Sequence, residues 1–237
     1  MSYATLLVDH SNILHSRTTI SDVITAWLKE ILLSGSEHPP LSDIIVRAYG
    51  GWNDQGYDSD ERFDALTYYQ SKLESLITLD GLYFRIRFSI ADRLLGASDI
   101  HRFEYTVGLR ATPDYFLIND AVCKEPDCQL PSIRRWIRKR RACTKKDCPN
   151  SFGEIFSRRQ QKQVDTHLAV DLLHAMSSQH KSKHIGIVTA DLDLVPALFS
   201  SLASKSANKF LYLLKPKPYS FYCDHDLLNS GARIIQP

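Results

Sequence analysis

Short apolar runs of strand length alternate with stretches of helical periodicity along most of this chain, and that alternation is what most narrows its possible folds. The first run, Tyr3-Ala-Thr-Leu-Leu-Val8, breaks at Asp9-His-Ser-Asn12. Ile20, Val23, Ile24, Trp27, Leu28, Ile31 and Leu32 then fall on one helical stripe, which Gly35 and Pro39-Pro40 end. Ile44 to Tyr49 reads as a second strand. Phe63, Leu66, Leu73, Leu76 and Ile77 predict a second amphipathic helix, and Leu82 to Phe88 a third strand. Between Ile90 and Asn119 the pattern is weaker, with Phe103–Leu109 and Tyr115–Ile118 as candidate strands. Periodicity returns with a helix over Val164, Leu168, Leu172 and Met176, and a strand at His184–Thr189. A helix over Val195, Leu198, Phe199 and Leu202 follows, then strands at Phe210–Leu214 and Ala232–Ile235. Such alternation predicts an α/β fold, a mainly parallel central sheet flanked by helices, with its site beyond the carboxyl ends of the strands.

With 43% hydrophobic and 24% charged residues, the composition excludes collagen-like, coiled-coil and largely disordered chains. No apolar run approaches the roughly 18 residues of a membrane span, and the first residues lack signal-peptide order. The expectation is a cytoplasmic protein without a membrane partner.

Acidic residues recur where strands end and helices begin. Asp9 follows the first strand, with Asn12 one turn on. Asp165 lies in the first turn of the helix from Val164, and Asp191 and Asp193 follow the strand ending at Thr189. Each has a simpler reading: Asp193 as a helix cap, Asp165 as a partner of the helix dipole, Asp9 as a turn residue with Ser11. Gathered at one sheet edge, however, like carboxylates repel and call for cations. Mg²⁺ or Mn²⁺, which prefer oxygen ligands, would answer that need and could activate water for phosphodiester hydrolysis. No phosphate-binding glycine loop of either common type occurs.

Four segments carry a resemblance: Val8-Asp9-His-Ser-Asn12, Arg47-Ala-Tyr-Gly-Gly-Trp52, Lys162-Gln-Val-Asp165 through Asp171, and Val188-Thr-Ala-Asp191-Leu-Asp193-Leu-Val-Pro196. In this order they resemble the NYN domain, a family of the PIN-like, metal-dependent ribonucleases, departing from its common pattern at Ala190 and Leu194. The resemblance implies a Rossmann-like three-layer nuclease domain over 1–119 and 161–237. It implies Asp9, Asp165 and Asp191 as the principal Mg²⁺ or Mn²⁺ ligands, Asp193 completing the pocket, and Asn12 orienting it or touching a phosphate. Asp171 stays open between a structural and a metal role, since six residues place it about 120° around the helix from Asp165. His167, Asp171 and His174 share a stripe whose readings are a helix edge, a partner contact or a metal.

Between these segments lies a block expected to form an insertion over 120–160. Cys123 and Cys128, then Cys143 and Cys148, form two x4 pairs fourteen residues apart, a pattern suited to one structural Zn²⁺. From Lys124 to Lys162 twelve basic residues face four acidic ones, so a chain of formal charge +2 is left with a net acidic remainder. Arg134, Arg135, Arg138, Lys139, Arg140 and Arg141, with Arg158, Arg159 and Lys162 leading toward Asp165, predict a nucleic-acid grip. The expected activity is therefore a metal-dependent endoribonuclease acting on RNA. The alternatives are a non-cleaving RNA-binding or adaptor protein and a structure-specific DNA nuclease, because recognition of the 2′-hydroxyl leaves no short motif.

Overall fold

A computed structural model describes residues 2–14, 16, 18–34, 41–54, 57–95, 107–110, 117–118, 156–161, 163–216 and 222–237. Strand β1 (Ser2–Asp9) runs directly into a short helix, α1 (His10–Leu14), followed by α2 (Ile20–Leu33). Thr19 caps α2 reciprocally: its hydroxyl accepts from the Asp22 amide, and the Asp22 carboxylate accepts from the Thr19 amide at 2.9 Å. Strand β2 (Leu41–Tyr49), a small ribbon of β3 (Asn53–Asp54) and β4 (Tyr57–Asp58), and helix α3 (Asp60–Lys72) come next. Strands β5 (Leu76–Leu79) and β6 (Leu82–Ile90) close this half.

The helix expected over Phe63 to Ile77 is shorter than its apolar pattern suggested. It ends at Lys72; Leu76 and Ile77 belong to β5, Phe63 is exposed, and the buried side of α3 is Ala65 and Tyr69. The cause is the Asp80-Gly81 turn. Both residues take positive φ, 51° and 77°. That is the conformation a two-residue hairpin needs, so the apolar residues before it pair as an antiparallel strand instead of extending the helix.

The chain forms two compact units, 107–162 and the remainder. In the smaller, β7 (Val107–Arg110), β8 (Leu117–Ile118) and β9 (Phe156–Gln161) make an antiparallel sheet in the order β7-β9-β8. Arg158 and Arg159 lie on β9, opposite Arg110 and Leu109. Residues 120–155 of the expected insertion, with its four paired cysteines and Arg134 to Arg141, lie outside the described residues, as does Lys162.

The larger unit resumes with α4 (Val164–Met176), β10 (His184–Val188), a 3₁₀ turn at Leu192–Leu194, α5 (Val195–Ala203), β11 (Phe210–Leu214), α6 (Asp224–Asn229) and β12 (Ala232–Ile235). Its seven-stranded sheet has the order β12-β11-β10-β1-β2-β6-β5, parallel throughout except for β5. The chain builds outward from β1 on one side, then returns to start again on the other at β10. The order therefore reverses between β1 and β10, and that switch point is where doubly wound sheets open a crevice at their carboxyl edge.

Two apolar layers hold the sheet. Alternate residues of β1 and β2, with Val188, Tyr212 and Leu214, pack under α2 and α3, while Leu7, Tyr49, Ile185, Ile187, Leu211 and Leu213 pack under α4, α5 and α6. Gly186 is demanded by the first layer: a Cβ there would stand 2.5 Å from Leu6 Cδ1 and 3.0 Å from the Trp27 indole. Among the described residues no helix is long and apolar enough to cross a membrane.

Candidate active site

The switch point is built from three separate parts of the chain. Asp9 is the last residue of β1 and is buried. One of its oxygens accepts from the Ser11 amide (3.2 Å) and hydroxyl (2.8 Å), and the other from the Asn12 side-chain amide. Asn12 therefore acts here on the carboxylate, orienting it. Asp165 stands in the first turn of α4, launched by Gln163, whose φ of 62° is a left-handed conformation uncommon for a non-glycine residue. Asp191 and Asp193 follow β10. The buried Thr189 hydroxyl accepts from the Asp191 amide at 3.0 Å, and Asp191 Oδ1 accepts from the Asp193 amide at 2.9 Å. The capping bond that the simpler reading gave to Asp193 is made by Asp191, to the 3₁₀ turn, while Asp193 is exposed.

These acids share one electrostatic field. Burial is the first cause that raises the Asp9 carboxyl above the ordinary range; Ser11 and Asn12 oppose it, and Asp191 adds to it. Asp165 is raised to about 6, by desolvation first and then by repulsion from Asp191, Asp9 and Asp193. Its residue surface is open to solvent, and repulsion from the three other acids is the part of that shift a cation would relieve.

The oxygen-only donor set is right in kind for Mg²⁺ or Mn²⁺. At Asp9 the Ser11 amide and hydroxyl and the Asn12 side chain and backbone already donate to the carboxylate, about as many as it can accept, so a metal would have to displace one of these bonds. Among the described residues, no three His, Cys, Asp or Glu side chains stand close enough to form a ready coordination group. The acids meet through their fields, and a bound ion would have to draw them closer.

The raised Asp165 carboxyl has a consequence for stability. A carboxyl whose native pKa lies above its unfolded value binds protons more tightly when folded, so it costs stability as pH rises from about 4 to about 6. In EDTA, Asp165→Asn should melt at a higher temperature than wild type at pH 7, with the difference vanishing toward pH 4. Added Mn²⁺ should narrow the gap at pH 7. Equal melting temperatures at both pH values would contradict the raised Asp165 carboxyl, and a gap that Mn²⁺ leaves unchanged would contradict the shared field.

A second polar cluster lies beneath α4. Asp171 is fully buried; its Oδ2 accepts from Tyr49 Oη (2.7 Å) and Arg47 Nε (3.1 Å), and its Oδ1 from the Leu95 amide (2.6 Å). His167 Nε2 lies 2.9 Å from the Arg93 carbonyl and 3.4 Å from Asp171 Oδ2, which marks it as the nitrogen carrying the hydrogen. Burial alone would raise the Asp171 carboxyl, but the hydrogen bond from His167, the Arg47 charge and the bonds from Tyr49 and Leu95 outweigh it and hold it below the usual range. Asp171 is therefore a structural acid. The sequence carried one sign of this: a charged Arg47 in the otherwise apolar strand Ile44-Ile-Val-Arg-Ala-Tyr49 has to find a buried partner.

Comparison of the chain with protein-family models, with curated proteins and with solved structures returned no match.

Proposed function

We propose that this chain is a metal-dependent endoribonuclease whose active site is the carboxylate group at the switch point of the larger unit. The observation that carries the reading is that Asp9, Asp165, Asp191 and Asp193, from three distant chain segments, meet in one field: Asp165 is raised to about 6 by desolvation first, and the other three acids add to the shift. Perturbed acids in such a place favour a functional site over four unrelated caps. The resemblance of the four segments to the NYN pattern favours the same assignment.

In this reading Asp9, Asp165 and Asp191 hold one or two Mg²⁺ or Mn²⁺ ions, and Asp193 adds to the negative wall. When bound, such ions activate water and stabilise charge on a phosphodiester undergoing in-line displacement. Asn12 and Ser11 fix the Asp9 carboxylate, and Thr189 fixes the loop that presents Asp191. No side chain need act as the nucleophile. The basic stretch Arg134–Arg141, with Arg158, Arg159 and Lys162, supplies phosphate contacts that give affinity and position without sequence choice. In the same reading Cys123, Cys128, Cys143 and Cys148, which lie outside the described residues, would hold a structural Zn²⁺.

The test is incubation of the protein with total RNA, plasmid and single-stranded DNA in Mg²⁺, Mn²⁺ or EDTA. RNA should be cut in either metal and left whole in EDTA. Cleavage of DNA alone would make it a DNA nuclease, and binding without cleavage in any metal would make it a binding protein.

A further inference from the structure

We infer that the buried cluster of Asp171, Arg47, Tyr49 and His167 is the positioning device that sets Asp165 against Asp9. The inference rests on the reading of those two acids as partners in one metal-dependent site.

The path between them is short and continuous. Tyr49 is the last residue of β2 and the ladder partner of Asp9 in β1. Its hydroxyl donates to Asp171 Oδ2 at 2.7 Å, and Asp171 is on α4, the helix whose first turn carries Asp165. One sheet ladder, one hydrogen bond and less than two turns of helix therefore join the acids. Arg47, two residues back on the same face of β2, reinforces the bond: its single Nε–H is shared between the same carboxylate oxygen at 3.1 Å and Tyr49 Oη at 3.1 Å. The Tyr49 and His167 rings meet edge to face at 5.2 Å.

Apolar packing alone would leave α4 less well placed. Its buried apolar residues are Val164, Leu168, Leu172, Ala175 and Met176, and hydrophobic contact is non-directional. A helix so held can rotate or slide by a fraction of a turn at small cost. A buried carboxylate with donors on β2 and on the Leu95 amide permits one setting. A buried ion pair is a poor way to gain stability compared with hydrophobic residues of similar volume, and its best-attested use is to fix register. The second oxygen extends the hold. Leu95 and Arg93 lie on the path from β6 toward the smaller unit, and α4 is where the chain returns from it. The cluster thus fastens the outgoing and returning segments to one point.

The test compares wild type with Arg47→Met/Asp171→Leu, which replaces the charges by apolar side chains of similar size, and with Tyr49→Phe, which removes one hydroxyl. A structural role alone predicts that the apolar pair restores both folding and turnover. Positioning predicts a cooperative melt close to wild type, but a kcat on RNA lowered about tenfold or more with KM within about twofold, since misplacement by a fraction of an ångström to 1 Å costs turnover steeply. Wild-type kcat in the paired variant would overturn the inference. Should that variant not fold, Tyr49→Phe decides: a kcat reduced about threefold or more at an unchanged melting temperature supports positioning, and an unchanged kcat refutes it. If the wild-type protein cuts no RNA, the proposed function fails, and amide exchange across 164–170 still decides the cluster's role. Exchange at least about tenfold faster in Tyr49→Phe, with the central strands still protected, supports it; unchanged exchange overturns it.

Discussion

Asp191→Asn should lower RNA turnover by about a thousandfold while leaving RNA binding equal or tighter. A ligand carboxylate lost from a catalytic metal site removes several kcal/mol of transition-state stabilisation, and loss of its charge also lessens repulsion of phosphate. The substitution is a clean one because Asn caps as well as Asp does. Its carbonyl oxygen can still accept from the Asp193 amide, so the 3₁₀ turn at Leu192–Leu194 is retained. Asp9→Asn should act in the same direction, though it also disturbs the bonds to Ser11 and Asn12. Single-turnover cleavage of labelled RNA, with gel-shift binding in EDTA, measures both effects. Undiminished cutting by both variants would reduce these acids to a cap and a turn residue.

Trp27→Ala should destabilise the larger unit by about 3–5 kcal/mol. Trp27 is fully buried on α2, edge-on to Tyr212 at 6.1 Å, and its indole lies over Gly186, where there is no side chain to fill the space it leaves. The cavity would open between α2 and the middle of β10, close to the strand pair that forms the switch point. Urea unfolding should show a lower midpoint with an unchanged slope. A shift below about 1 kcal/mol would mean that α2 repacks onto the sheet without it.

Strands β1, β2, β10 and β11 were legible as dense apolar runs and β6 through its alternation of apolar and basic residues, while α2, α4 and α5 were legible because their buried residues keep helical spacing. The strand β5 was not, since Leu76 and Ile77 continue the spacing of the helix before them. The deciding signal was the Asp80-Gly81 pair, which acts through backbone φ rather than hydrophobicity. The site divides in the same way. Acids at strand ends and helix starts can be located from sequence, and their convergence follows once the strand order places β1 beside β10. The partnership of Asp171 with Arg47, Tyr49 and the Leu95 amide joins residues far apart in the chain, and only the charge on Arg47 in an apolar strand hinted at it. The cap is made by Asp191 and not Asp193 because one 3₁₀ turn, Leu192–Leu194, precedes α5, a boundary that apolar spacing does not resolve.

End-group analysis of cut RNA tests the central claim most directly. Wild-type protein in Mn²⁺ should leave 5′-phosphate and 3′-hydroxyl ends, the mark of water attacking the phosphodiester, and both should disappear in EDTA and in Asp191→Asn. Ends bearing 2′,3′-cyclic phosphate, or cleavage that persists in EDTA, would contradict a carboxylate-held metal at the switch point of this sheet.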